Sequence, residues 1–200
     1  MNREEHQKIF HPSSLEMIRA ATHDLSWLLT RGYTQKSALK IVGDRYGLHR
    51  EAREAAKRSA APAHSIQKRA ALEIIDRDQM ADSTVWIDGF NLLITAERAL
   101  RGDPVLRCCD RVIRDIAGVH GTYRRGRQTH AAFELIDAGL SILGVRDVLW
   151  LFDQPVSNSG RAAELARSYG EAEVVIDPDR ELINAPESVV VISGDGEVIE

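Results

Sequence analysis

A change in the spacing of apolar residues near Thr84 constrains the fold more than any other feature of the sequence. After that point, short runs rich in Val, Ile and Leu alternate with longer amphipathic segments. The short runs are TVWID, VRDVLWLFD, AEVVID and ESVVVISGD, and the segments between them are FNLLITAERAL, QTHAAFELIDAGLSIL and SGRAAELARSYG. Continuous apolar strands that alternate with helices are typical of a parallel sheet covered on both faces. Residues 81–200 are therefore predicted to form an α/β domain.

The segment before this point has a helical pattern throughout. Helices are predicted over residues 12–78, with a start at Pro12, a first end at Gly32, a second start at Thr34 and a later stop near Pro62. The polar stretch that follows places the domain boundary near residue 80. Residues 1–80 are thus predicted to form a small all-helical domain, which could bind nucleic acid or a partner protein.

Charge is distributed unevenly along the chain. The net charge is −4, yet residues 31–69 carry ten Lys or Arg against three Asp or Glu, and residues 129–200 carry four against fourteen. A chain polarised in this way can offer one surface to phosphates and keep another for cations. Solvated helix faces would explain the basic segment equally well.

Composition disfavours several classes of protein. No apolar run approaches the roughly 20 residues that a membrane-spanning helix needs. Cys108 and Cys109 are adjacent, so they cannot join distant segments, and the seven histidines form no HxH or HxxxH pair of the kind that binds zinc. We expect a reduced, cytoplasmic protein. Trp27, Trp86 and Trp150 are predicted to be core residues because each lies within an apolar run.

Aspartates follow three of the predicted strands, at Asp88, Asp153 and Asp195. Ligands of open parallel sheets bind beyond the carboxyl ends of the strands, so we expect these side chains to meet at one edge. Clustered carboxylates repel one another unless a cation shares the site, and oxygen ligands suit Mg²⁺ or Mn²⁺. The alternative is that each aspartate caps a helix or forms a turn, which is the usual role of a single one.

A fourth carboxylate is expected from the segment RCCDRVIRDIAG, which is predicted to be a helix. Asp110 and Asp115 lie five residues apart, too far round a helix to share a face. We favour Asp115 as the metal ligand because the apolar Ile113 and Ile116 flank it.

Two segments resemble the PIN-like and NYN-type nuclease domains. IDGFNLLI looks like their opening strand, in which Asp-Gly-x-Asn follows a hydrophobic run, and VVVISGDGEVI is similar to their Ser-Gly-Asp-x-Asp element. The resemblance implies a Rossmann-like, three-layer fold and metal-dependent cleavage of RNA. It also implies that Asp88 and Asp195 bind the metal, that Asn91 orients the water or the phosphate, and that Ser193 supports the site.

The chain also resembles an uncharacterised two-part family of bacteria and archaea, in the segments LLTRGYTQKSALKIVGDRYGL, IDGFNLLITAERAL and LFDQPVSNSG. That family pairs a small helical N-terminal domain with a PIN-like C-terminal domain, which implies a fold rather than an activity. One position departs from the nuclease pattern. Glu197 stands where those domains usually have a second Asp, so a role for it as a ligand does not carry over.

Two further segments are candidates for binding the substrate. Ser157, Asn158 and Ser159 precede a predicted helix whose free N–H groups could hold a phosphate, and Arg161 adds a positive charge; a plain helix cap is an equally good interpretation. The basic loop from His120 to Arg127 could hold a nucleic-acid backbone through Arg124 and Arg125, with Tyr123 stacking on a base. A solvated surface loop is the alternative.

Three functions are compatible with these residues. The first is a Mg²⁺- or Mn²⁺-dependent nuclease that acts on RNA, with Asn91 in the catalytic group and with metal ligands at Asp88, Asp115, Asp153 and Asp195. The second is a non-catalytic nucleic-acid-binding module in which the aspartates are caps. The third is a small-molecule phosphohydrolase with Asp88 as nucleophile, although Phe90 stands where such enzymes usually have a second Asp. The sequence leaves open whether the chain forms a homo-oligomer.

Overall fold

A computed structural model describes residues 10–73, 77–116 and 123–199 of the chain. Two compact units are present, namely Met1–Ala71 with Gly102–Ala117, and Leu72–Arg101 with Gly118–Glu200. This division differs from a single boundary near residue 80. Gly102–Ala117 follow the first strand of the second unit in the sequence and yet belong to the first unit.

Helices form most of the first unit. They are α1 (Pro12–Thr30), α2 (Gln35–Arg45), α3 (Arg50–Ser59) and α4 (Ala63–Leu72). The predicted signals at the end of α1 and the start of α2 are confirmed. Gly32 adopts a left-handed φ of 82° just after α1, and the Thr34 hydroxyl accepts a hydrogen bond from the Ser37 N–H at 3.4 Å. The last helix ends at Leu72, earlier than predicted, and Arg77–Gln79 form only a short 3₁₀ turn.

The segment predicted as a helix around Asp110 is instead an antiparallel hairpin of β2 (Val105–Arg107) and β3 (Ile113–Asp115). The helix prediction is wrong because the backbone turns between the two strands. Arg111 has a left-handed φ of 68°, and the Cys108 N–H donates to the Val112 carbonyl at 2.9 Å.

The turn of this hairpin contains a buried aspartate. Asp110 is 3% exposed and accepts two hydrogen bonds from Arg114, both at 2.8 Å, and one from Arg69 at 2.5 Å. Burial by itself would raise the pKa of Asp110, but the hydrogen bonds and charges of the two arginines hold that pKa below its usual range. Asp110 is therefore a paired, ionised residue of the first unit.

A four-stranded parallel sheet forms the centre of the second unit, in the order β5-β4-β1-β6. Its strands are β1 (Thr84–Asp88), β4 (Asp147–Asp153), β5 (Glu171–Val175) and β6 (Val189–Ile192). The helices are α5 (Gly89–Arg101), α6 (Thr129–Leu143), α7 (Ser159–Ala166) and α8 (Pro178–Ile183). The prediction of an α/β unit with a parallel sheet is confirmed.

Side chains alternate between the two faces of this sheet, as the period of a strand requires. One face packs Val85, Ile87, Trp150 and Phe152 against α5, α6 and α7. The other face packs against the short helix α8 and the last described residues. This cluster contains the sheet residues Trp86, Leu149, Leu151, Val175 and Val191, together with Leu182, Val198 and Ile199. By the same alternation, the final residues of β1 and β4 belong to this second, more thinly covered face.

The strand order places a topological switch point beside β1. From β1 the chain adds β4 and β5 on one side and then returns to add β6 on the other. Ligands of open α/β sheets bind at such a point, outside the carboxyl ends of the strands. A binding site is therefore expected at the carboxyl ends of β1 and β6.

The tryptophans are not all core residues, contrary to expectation. Trp150 is fully buried, but Trp27 on α1 is 50% exposed.

Among the described residues, no helix is both long enough and apolar enough to span a membrane.

Candidate functional site

Asp88 lies at the junction of β1 and α5, at the switch point of the sheet. It is only 7% exposed. One carboxylate oxygen accepts a hydrogen bond from the Asn91 N–H at 3.4 Å, and the other accepts one from the Ser193 hydroxyl at 2.8 Å. Asp88 thus caps α5 and also contacts the segment that leaves β6.

Gly89 lets α5 begin directly against β4. A Cβ atom at this position would lie 2.7 Å from the Leu151 carbonyl oxygen and 2.6 Å from the ring of Phe152. Contacts this short do not occur in folded proteins without displacement of one partner. The glycine therefore fixes how closely Asp88 and the start of α5 approach the neighbouring strand.

The segment after β6 is held to the start of α5 by a chain of hydrogen bonds. The Ser193 hydroxyl, which donates to Asp88, accepts from the Asp195 N–H at 2.9 Å, and the Gly194 N–H donates to the Asn91 side-chain oxygen at 2.9 Å. Asp195 in turn accepts from the Glu197 N–H at 2.8 Å. The resemblance-based grouping of Asp88, Asn91, Ser193 and Asp195 therefore corresponds to one connected network.

The bond from Gly194 fixes the orientation of the Asn91 amide, because a backbone N–H needs an oxygen acceptor. The amide nitrogen then carries the two N–H donors, which make no hydrogen bond with any part of the chain that the structure describes. Such a group can donate to a phosphate oxygen. It has no basic atom with which to take a proton from water.

The pKa of Asp88 is raised to about 7, mainly by burial and also by the nearby charges of Asp179 and Asp153, while the hydrogen bonds from Ser193 and Asn91 act in the opposite direction. Burial also raises the pKa of Asp153, with Asp177 as the second cause. Among the described residues, neither Asp88 nor Asp153 forms an ion pair with a cationic side chain. The site is thus a group of carboxylates that lacks a compensating positive charge.

Asp177 and Asp179, which the sequence-based reasoning did not include, belong to this group. Burial raises the pKa of Asp179, followed by repulsion from Asp195, Asp153, Asp177 and Glu197. Asp177 caps α8 by accepting a hydrogen bond from the Arg180 N–H at 3.0 Å. The available signal was the pair Asp177-Pro178 after a predicted strand, which is typical of a helix start.

The donor set has the chemistry of a site for a hard divalent cation, since it consists of carboxylate oxygens and a nearby amide. Within the described ranges, however, no three Asp, Glu, His or Cys side chains are arranged so that they could hold a metal ion as they stand. A cation would therefore have to draw the carboxylates of Asp88, Asp153 and Asp195 towards itself through side-chain rotation.

Asp115 belongs to the other unit. It lies on β3 in the first unit, is 6% exposed, and forms an ion pair with Arg58 at 3.7 Å. Its assignment as a metal ligand depended on a helix that the structure replaces with a strand. Asp115 is therefore not counted among the residues of the site.

The start of α7 differs from a simple helix cap. Asn158 precedes the helix in a left-handed conformation with φ of 67° and makes no side-chain capping bond. Its amide nitrogen instead donates to the Tyr123 carbonyl at 2.8 Å. Ser159 is buried, whereas Ser157 and Arg161 are exposed. Asn158 is exposed as well, so within the predicted phosphate cradle only Ser159 is closed to solvent.

The described part of the basic loop begins at Tyr123, and residues 120–122 lie outside the described residues. The prediction that Tyr123 stacks on a base is wrong, because its ring is 4% exposed and packs 5.0 Å from the ring of Phe90. Its hydroxyl donates to the buried Glu97 at 2.8 Å. Arg124 and Arg125 are exposed, and Arg125 contacts His130.

Comparisons with known proteins address the family of the chain. Residues 17–71 match a family described as "Protein of unknown function (DUF434)", and residues 77–200 match one described as "Domain of unknown function (DUF5616)". The uncharacterized protein MJ0935 of Methanocaldococcus jannaschii is 31% identical over 192 residues, which cover 92% of this chain and 89% of that protein. No solved structure matches the chain. The chain therefore belongs to the DUF5616 family, in a two-part form whose first part is of the DUF434 type.

Proposed function

We propose that the second unit is a PIN-like, metal-dependent nuclease that hydrolyses RNA. One observation carries the proposal: aspartates from the ends of β1 and β4 and from the segment after β6 gather at the switch point of a parallel sheet without a compensating cation. The charge of Asp153 contributes to the raised pKa of Asp88, and Asp195 is joined to Asp88 through Ser193.

In this proposal Asp88, Asp153 and Asp195 hold Mg²⁺ or Mn²⁺, and Asp179 adds negative charge beside them. A divalent cation at such a site supplies an activated water and neutralises the charge that develops on the phosphate. The free N–H donors of Asn91 bind a phosphate oxygen. Ser193 positions the carboxylate of Asp88 through its hydrogen bond.

Exposed basic groups near the start of α7 and in the loop before α6 support nucleic acid as the substrate. Arg161 belongs to the first of these regions, where Ser157 adds an exposed hydroxyl, and Arg124 and Arg125 belong to the second. Arginines bind phosphates without reading sequence, so they position a strand rather than select it. The preference for RNA over DNA comes from the resemblance to PIN-like domains.

The direct test is calorimetry of Mn²⁺ binding, followed by cleavage of a single-stranded RNA. The native protein is expected to bind Mn²⁺, and Asp88→Asn, Asp153→Asn and Asp195→Asn are expected to lose that binding and at least 100-fold of the cleavage rate. Asp147→Asn is the matched control, because Asp147 lies at the opposite end of the same strand as Asp153 and is exposed. Equal losses in the control, or no Mn²⁺ binding by the native protein with or without RNA, would contradict the proposal.

A non-catalytic nucleic-acid-binding module is the second candidate. It is favoured by the capping bonds of Asp88 and Asp177 to the N–H groups of Asn91 and Arg180, since such bonds give each aspartate a purely structural role. This candidate predicts that Asp88→Asn leaves RNA binding intact or strengthens it, and that no variant changes a cleavage rate. A small-molecule phosphohydrolase is less well supported, because Phe90 is buried in the core at 4% exposure and supplies no acid or base.

A further inference from the structure

The first unit contains a cavity of about 800 Å³. One stripe of α1 forms its longest wall, and the residues around the start of α4 and along β2 form the others. The stripe includes Arg19, His23 and Trp27, which recur at helical spacing. A volume of this size is typical of sites that enclose a small organic ligand.

Positive charge surrounds this cavity. Arg19, Arg31 and Arg107 line it, and no acidic residue is found among its described lining residues. Neither Arg19 nor Arg107 forms an ion pair with a carboxylate in the described ranges. Both side chains are exposed, so they are available to an anionic ligand. The ligand expected from charge is an anion.

Aromatic and apolar surface is available beside this charge. Trp27 is 50% exposed, and the guanidinium of Arg31 lies 3.4 Å from the centre of its ring. Leu15, Ile66 and Val105 add apolar lining. An exposed tryptophan next to arginines is a common platform for stacking a flat aromatic group, including a nucleobase.

Polar groups that could read the edge of such a ring also line the cavity. The Ser26 hydroxyl makes only a long contact of 3.9 Å with the sulfur of Cys109. The side chain of His23 is 83% exposed. Both groups can therefore donate to or accept from a ligand.

We propose that this cavity binds a nucleotide, with the phosphate on the arginines and the base against Trp27. A nucleotide combines the three properties that the lining requires: an anionic group, a flat aromatic ring and a polar edge on that ring. The ligand is either a free mononucleotide or the terminal nucleotide of an RNA strand. This inference does not depend on the carboxylate site of the second unit.

Calorimetric titration of the full chain with AMP in the presence of EDTA tests this inference, because the chelator removes any contribution from a metal site. AMP is expected to bind more tightly than either adenosine or inorganic phosphate, since each of these supplies only half of the contacts. Arg19→Gln and Arg107→Gln are each expected to weaken AMP about tenfold, and Trp27→Ala by a similar factor. Arg50→Gln is the matched control, because Arg50 lies outside the cavity in the same unit with a side chain that is 90% exposed; it should change affinity less than about twofold.

A parallel titration with a 5′-phosphorylated RNA oligonucleotide distinguishes the two sources of the nucleotide. Binding of the oligonucleotide alone, with the same dependence on Arg19 and Arg107, identifies the strand end as the ligand. Binding of neither probe at millimolar concentration overturns the inference. So does binding that Arg19→Gln and Arg107→Gln weaken no more than Arg50→Gln, provided that the variants unfold at the same temperature as the native chain.

Discussion

Two aspartates of this protein are almost equally buried and yet differ in their protonation. Asp110, in the hairpin of the first unit, is 3% exposed, and Asp88, at the edge of the parallel sheet, is 7% exposed. Arginines surround Asp110 and lower its pKa, whereas burial and other aspartates raise the pKa of Asp88 to about 7.

The difference shows that burial alone does not mark a functional aspartate. A buried carboxylate that is paired with arginines has a structural role, and its removal lowers the stability of the folded protein. A buried carboxylate among other carboxylates lacks counterions. The free energy that its burial costs the folded protein could be recovered by binding a cation. The two residues are therefore expected to affect the stability of the protein in opposite directions.

Asp110→Asn is expected to have the largest effect on stability. It leaves the guanidinium groups of Arg69 and Arg114, whose side chains are 11% and 13% exposed, without the carboxylate that neutralises them. The expected cost is about 3–5 kcal/mol of unfolding free energy, measured by denaturant titration. Asp147→Asn removes an exposed ion pair with Arg146 and should cost far less, because water screens exposed charges. Equal costs for the two variants would remove the basis of the comparison.

The pH dependence of stability should have opposite signs at the two sites. Asp88 has a raised pKa in the folded state, so its contribution is fully present below pH of about 4 and is lost as the pH rises through about 7. The loss is up to about 4 kcal/mol. Asp110 has a lowered pKa, so its contribution is present at neutral pH and is lost on acidification below about pH 4.

Unfolding of the native chain and of Asp88→Asn in EDTA, at pH values from 4 to 8, measures the first of these contributions. The difference in stability between the two proteins should move in favour of the variant as the pH rises. A difference that is constant across this range would show that Asp88 is ionised throughout.

A divalent cation should stabilise only the site that lacks counterions. Mn²⁺ at 100 times its dissociation constant is expected to add about 2.7 kcal/mol to the stability of the native chain. Asp88→Asn should gain much less, while Asp147→Asn should gain as much as the native chain. Thermal unfolding with and without Mn²⁺ measures the effect, and equal gains in all three proteins would indicate non-specific binding.

Gly89→Ala is expected to have the smallest of these effects, about 1–3 kcal/mol of destabilisation. The new methyl group would meet the Leu151 carbonyl and the Phe152 ring, so α5 and Asp88 must shift away from β4. Gly139→Ala is the control, because nothing lies within 4 Å of a Cβ atom at that position of α6 and alanine favours helix by about 0.5–1 kcal/mol. Denaturant titration should thus give opposite signs for the two glycines.

The sequence was sufficient to predict the sheet and part of the site, because both depend on local pattern. Apolar runs located the strands, and the carboxyl ends of parallel strands share an edge. Those two facts brought Asp88, Asp153 and Asp195 to one region. Asp177 and Asp179 were missed because α8 is only six residues long, too short for an apolar period to indicate it.

The errors arose where the outcome depends on contacts between distant segments. The apolar spacing around Asp115 suits a helix, and the ion pair between Arg69 and Asp110 spans 41 residues, so nothing local indicates the hairpin. Likewise, the apolar neighbours of Trp27 suggested burial, but its side chain is exposed. The basic neighbours of Tyr123 suggested exposure, but its ring is buried. Exposure of an aromatic ring is decided by what packs on it.

The hydrogen bond from Ser193 to Asp88 joins residues 105 positions apart, and this separation has a consequence for the order of folding. β6, which carries the chain to Ser193, follows all other strands in the sequence, and closing so long a loop is slow compared with forming the helices. During synthesis, Asp88 leaves the ribosome long before the residues that complete its surroundings. The network around Asp88, and with it the proposed metal site, is therefore complete only after the last strand has docked.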